Sequence, residues 1–214
     1  MAKTYVIKRI DSKDIDSNIW EVIEPAHVDI FSWDENGYRP KTEAKVFYTE
    51  SAIHIKFKSY EDKIEAVYTN MNDPVYMDSC VEFFINPMPD KDNRYLNFET
   101  NCIGVLNLGI GSDRYDRVKV DECYFPMFEI KSSVKKESID EYTGDFWTLE
   151  YKIPLEFINK FYGQMKFKPG IRMKGNFYKC GDETENPHYG TWNRVIAKEA
   201  DFHRPECFGD LLLG

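Results

Sequence analysis

The strongest constraint on this chain is a two-residue rhythm that recurs at short intervals from position 43 onward. In 52–59, Ile53, Ile55 and Phe57 alternate with His54, Lys56 and Lys58; in 95–101, Leu96, Phe98 and Thr100 alternate with Tyr95, Asn97, Glu99 and Asn101. Successive side chains of an extended strand point to opposite faces, so such runs build strands with one face packed and one face polar. The same reading predicts strands over 43–49, 52–59, 79–86, 94–101, 103–109, 126–134, 146–153, 171–180 and 208–213, each rich in β-branched or aromatic residues. Turn residues separate these runs closely, as in a sandwich and unlike βαβ units, which need long helical stretches between strands. Only 154–162, opened by Pro154 and closed by Gly163, reads as a helix. No repeat or linker divides the chain. The expectation is therefore one domain over 1–214, an all-β, antiparallel, jelly-roll-like β-sandwich with one or two short helices. The stretch 110–125 has no clear period and reads as a long loop or a sheet-crossing connection, a kind of segment that often carries ligand contacts.

Composition narrows the classes of partner. A net charge of -9, from 37 acidic and 28 basic side chains, repels nucleic acid and anionic lipid. Neither partner is expected. Aromatic residues make up 15% of the chain, so large rings carry much of the packing. The start lacks the apolar stretch of a signal peptide, which places the chain as written in the cytosol, or outside the cell or in the periplasm if a leader was removed. Five cysteines, Cys80, Cys102, Cys123, Cys180 and Cys207, show no CxxC spacing; they read as free thiols, mostly small core residues, and no cofactor is required.

Three strand runs carry the functional signal. In 78–86 (DSCVEFFIN), Val81, Phe83 and Ile85 form a core side and leave Cys80, Glu82 and Phe84 opposite. If this run pairs with 95–101, Glu82 joins the polar row Tyr95, Asn97, Glu99 and Asn101. A third run, 171–180, projects Arg172, Lys174, Asn176 and Tyr178 together. Carboxylates, amides and guanidinium groups grip vicinal hydroxyls with two atoms at once, and an aromatic plane suits the C–H face of a sugar ring. A polar outer face is also what any sandwich strand shows to water.

The blocks DSCVEFFINP (78–87), YLNFETNCIG (95–104), TWNRV (191–195) and DFHRPECFGDLLL (201–213) together resemble the family 9 carbohydrate-binding modules of the DOMON-like superfamily, from about Trp20 to the C-terminus. The resemblance implies non-catalytic binding of a mono- or oligosaccharide between two aromatic rings, in the setting of polysaccharide utilisation and with glycan-degrading enzymes as partners. It places one ring at Tyr76, six residues before Glu82, and the other at Phe202, six before Phe208, where familiar members have Trp. Asn97 matches the family's asparagine in the following strand; its neighbouring arginine is not matched, since Tyr95 stands there. The expected ligand contacts are thus Tyr76, Glu82, Tyr95, Asn97, Glu99, Asn101, Arg172, Asn176 and Phe202, with Trp192 a lesser candidate.

Rival readings stay open at this level. Glu82 and Glu99 could serve a glycoside hydrolase as paired carboxyl groups. A sandwich that has lost its sugar site would act as an interaction or accessory domain. The four histidines, His27, His54, His188 and His203, lack ligand spacing for haem or zinc, whereas Asp73, Asp78 and the loop 90–93 offer oxygen ligands for a structural calcium ion.

Overall fold

The computed structural model describes residues 2–61 and 63–214. Thirteen strands appear in chain order: β1 (Thr4–Arg9), β2 (Ala26–Val28), β3 (Thr42–Tyr48), β4 (Ala52–Ser59), β5 (Cys80–Asn86), β6 (Tyr95–Asn101), β7 (Leu106–Gly111), β8 (Val118–Lys119), β9 (Lys131–Ser132), β10 (Trp147–Pro154), β11 (Arg172–Gly181), β12 (His188–Thr191) and β13 (Gly209–Leu213). One α-helix, α1 (Leu155–Tyr162), follows β10 and ends at Gly163, where φ of 77° suits glycine.

The strands form two sheets joined by one strand. The first runs β8-β7-β6-β5-β11-β13-β1 and the second β1-β3-β4-β10-β9, with β12 beside β11 and β2 beside β3. Strand β1 pairs with β13 through Thr4 to Ile7 and then with β3 through Lys8 and Arg9, both times in parallel, so it turns the corner between sheets. The all-β sandwich is as expected; these two parallel pairings are the departure from a purely antiparallel reading. Between the sheets lies the main core. Val81, Phe83, Ile85, Leu96, Phe98 and Phe177 face Val46, Ile53, Ile55, Phe57, Trp147 and Leu149, all essentially fully buried.

Most predicted strands match to within a residue or two, because their alternation is strong. Two regions differ. The expected strand 126–134 is instead a 3-10 helix, Glu122–Phe128, then the two-residue β9. Asp121 caps that helix by accepting the Cys123 N–H, Pro126 lacks the N–H a ladder needs, and Glu129 has φ of 48°, which breaks extension. The presumed long loop 110–125 is mostly a hairpin: β7 continues to Gly111 and β8 returns beside it, pairing Lys119 with Gly109.

The outer face of the first sheet matters for function. Every residue of β5, β6 and β7 is buried, so loops cover the side that alternation leaves polar. A second apolar cluster fills part of that cover, with Phe84, Tyr95, Tyr178, Phe202, Phe208 and Val195 at its centre. It does not fill all of it.

Candidate functional site

A cavity of about 300 Å³ opens where the second cluster stops. Its floor is one row of side chains across four strands: Tyr178 of β11 opposes Glu82 of β5, Glu82 opposes Glu99 of β6, and Glu99 opposes Asn107 of β7. Glu82, Glu99 and Asn107 line the cavity, while Tyr178 lies in the apolar cluster. Four chain segments raise the walls. Asn72, Pro74 and Tyr76 stand on one side, Arg114, Arg117 and Lys119 on another, and Asp182, Tyr189, Asp201, Phe202 and His203 close the rest.

The two floor carboxyl groups differ in what holds them. Asn97 Nδ2 donates to Glu99 Oε1 at 2.7 Å, Asn107 Nδ2 donates to Oε2 at 2.6 Å, and Arg117 Nη1 approaches Oε1 at 3.4 Å. Burial raises the Glu99 pKa, opposed by Arg117, Lys119 and the two amides. Among the described residues Glu82 has one direct partner, the Cys180 thiol, which donates to Oε1 at 3.2 Å. Burial first and Glu99 second push Glu82 well above the usual carboxylate range. Of the pair, Glu82 is therefore the one pushed further toward its neutral form. Burial likewise lifts Asp182 to about 6, against the pull of Arg114.

The walls are pinned. Asp116 accepts the N–H groups of Ser112 and Asp113, and Asp113 accepts those of Tyr115 and Asp116, so the loop between β7 and β8 is a stapled turn. Arg114 Nη1 reaches Asp201 at 3.3 Å. His203 Nδ1 meets Tyr95 Oη at 2.8 Å and its ring lies 4.9 Å from Phe84. Burial, with Arg117 and Arg114 nearby, lowers its pKa to about 2, so this imidazole is neutral. Phe202 stacks on Tyr178 at 4.2 Å and 10°, and its carbonyl accepts the Tyr178 hydroxyl. Tyr76, half-buried, belongs to a 3-10 turn, Val75–Met77.

Of the nine residues read from the sequence, four line this cavity: Tyr76, Glu82, Glu99 and Phe202. Asn97 and Tyr95 lie beneath it and orient Glu99 and His203. The other three stand apart. Asn101 is fully buried, donates to Asp78 Oδ2 and to the Tyr68 carbonyl, and accepts from the Val105 N–H. Asn176 is spent on both backbone groups of Asn193, and Arg172 pairs with Asp90 and Asp210 toward the far end of β11. Trp192 packs in the main core against Phe177. Sequence reasoning missed Asn72, Asn107, Arg114, Arg117, Lys119, Asp182, Tyr189, Asp201 and His203 as cavity residues; the aperiodic stretch 110–125 was a signal for the three cations alone.

Of the carboxylates considered for calcium, Asp78 accepts from the Val67 and Tyr68 N–H groups, Asp73 from Asn70 and Asp92 from Arg94, and Asp90 pairs with Arg172. All five cysteines are free thiols. Among the described residues the one group of potential metal ligands is Cys80, Glu82 and Cys180, buried at the cavity floor.

Comparison with known proteins bears on this arrangement. Residues 15–213 match the model of carbohydrate-binding family 9. A crystal structure from Bacteroides uniformis, whose assignment as a carbohydrate-binding protein is provisional, is similar over 100% of both chains, with 28% identity and a TM-score of 0.84. A carbohydrate-binding module family 9 from Caldicellulosiruptor kristjanssonii in complex with cellotriose is similar in fold over 99% of this chain and 93% of its own, at 14% identity and a TM-score of 0.66. The same module in complex with glucose gives 14% and 0.66 over 99% and 96%. No curated protein matches the chain.

Proposed function

The chain belongs to carbohydrate-binding family 9, and from that premise we propose that its walled cavity binds a carbohydrate without transforming it. The observation that carries this reading is the combination at one place of aromatic rings, Tyr76, Tyr189 and Phe202, with a floor of fixed hydrogen-bonding groups, Glu82, Glu99 and Asn107. A sugar presents an apolar C–H face and a rim of hydroxyls, which those two surfaces complement. The Bacteroides uniformis similarity and the glucose and cellotriose complexes of the Caldicellulosiruptor module support it.

Both Glu99 oxygens already accept hydrogen bonds from Asn97 and Asn107, with Arg117 beside one of them. Burial and the neighbouring Glu99 favour the neutral form of Glu82, which suits it to donate to a hydroxyl.

Isothermal titration with glucose, xylose, galactose and cello-oligosaccharides checks the proposal. Saturable binding is expected, weakened at least about tenfold by Tyr76→Ala and by Glu82→Ala, as the loss of a ring contact or a buried hydrogen bond implies. Absence of binding across the set, or aryl-glycoside turnover abolished by Glu82→Gln, would refute it.

A further inference from the structure

We propose that the preferred sugar carries a carboxylate, as a hexuronic acid does, and that Lys119 and Arg117 receive it. The inference rests on the carbohydrate-binding reading and narrows it to a ligand class. An acidic chain of net charge -9 gathers three cations, Arg114, Arg117 and Lys119, on one wall of one cavity. Two of them have acidic partners: Arg114 meets Asp201 at 3.3 Å and Arg117 meets Glu99 at 3.4 Å. The Arg114 pair runs through Nη1 alone, and Arg117 uses Nη1 on Glu99 and Nε on the Arg114 carbonyl, which leaves Nη2 of each among the N–H groups still able to donate.

Lys119 differs. Its ammonium donates only to neutral oxygens, the Asn72 carbonyl and Asn107 Oδ1, and among the described residues no carboxylate comes within ion-pair distance of it. Glu99 and Asp73 are the acids whose charges reach Lys119, and burial lowers the pKa of its ammonium in spite of them; across the cavity burial holds Glu82 toward its neutral form. Arg117 and Lys119 flank Val118 on extended backbone, so both project to the same side and converge on the cavity. A ligand carboxylate there accepts from Lys119 Nζ and from the unused guanidinium N–H groups. The ring hydroxyls then face Glu82, and the ring itself lies among Tyr76, Tyr189 and Phe202.

The test compares glucuronate and galacturonate with their methyl esters, which keep the shape and lose the charge, by titration calorimetry at low salt. The expected result is a free acid that binds at least about tenfold more tightly than its ester, the range for a charge-assisted hydrogen bond. That gap should close in Lys119→Met and narrow as ionic strength rises. Equal affinity for acid and ester, with neutral sugars still bound, overturns this inference alone. A gap that survives Lys119→Met overturns it too. A Lys119-dependent gain seen only with a 6-O-sulfated sugar replaces the carboxylate with a sulfate. No binding by any sugar, charged or neutral, sinks both this inference and the reading beneath it.

Discussion

Asp182 and the two buried histidines pull the pH dependence of stability in opposite directions. The Asp182 pKa stands at about 6 in the folded protein against an ordinary 3.8. Between those values the native state holds a proton that the unfolded chain releases, so the Asp182 contribution falls as pH rises from about 4 to about 6 and stays low above it. His188 and His203, lowered to about 2 by burial with Lys179 or Arg117 and Arg114 nearby, behave the other way. Their contribution is complete above the ordinary histidine value of 6.5 and is lost as pH falls toward 2. Asp182→Asn should therefore raise the urea midpoint at pH 7 more than at pH 4 and steepen the loss of stability on acidification. Equal shifts at both pH values would contradict it. At this scale the sequence was legible where alternation or motif spacing fixed a residue, as for Glu82, Glu99, Tyr76 and Phe202. Alternation assigns a face but not a position along it. Arg172 shares a face with Tyr178 yet lies six residues away, about 20 Å of strand, and so pairs with Asp90 and Asp210 instead.

Strand β11 is the element on which both the core and the cavity depend, lying between β5 and β13 with β12 at its end. Close packing sets one of its residues. A Cβ built at Gly175 would fall 2.5 Å from the Phe84 carbonyl oxygen and 2.6 Å from Leu211 Cδ1, closer than real contacts allow. Gly175→Ala should cost about 1–3 kcal/mol, the usual penalty for overpacking a tight interior. Thermal or denaturant unfolding checks this, and an unchanged midpoint would show that the strands can part without loss. Element identity was readable for long strands and for α1, whose Pro154 and Gly163 mark both ends. The short strands β1, β2, β8 and β12 went unread, because two to six residues carry little periodicity and their pairing is set by distant partners. Arg117 and Lys119 were hidden for the same reason: their common face exists only once β8 pairs with β7.

Across the whole molecule, one buried polar network ties the two sheets together at an end of the sandwich. Lys179 of β11 and Glu61, just after β4, sit 3.2 Å apart with side chains that are 0% and 1% exposed. Glu61 also accepts from Ser79 Oγ and Trp147 Nε1, and Lys179 Nζ meets His188 Nε2 at 2.7 Å and donates to the Cys180 carbonyl. Glu61→Gln leaves the ammonium buried without its counter-charge and should destabilise by about 3–5 kcal/mol. Glu61→Gln with Lys179→Met should cost clearly less. If the double variant is no more stable than the single one, the ion pair is not the source of the loss.

The alternation along β5 and β6 also bears on how such a protein diversifies. Val81, Phe83, Ile85, Leu96 and Phe98 serve the core, while Glu82, Glu99 and Asn97, their immediate neighbours in the chain, serve the cavity or its support. The two sets share a backbone and almost nothing else. Substitutions in the second set, and in the loops above it, can accumulate without disturbing the first, so a lineage can exchange one ligand for another while its scaffold is inherited intact.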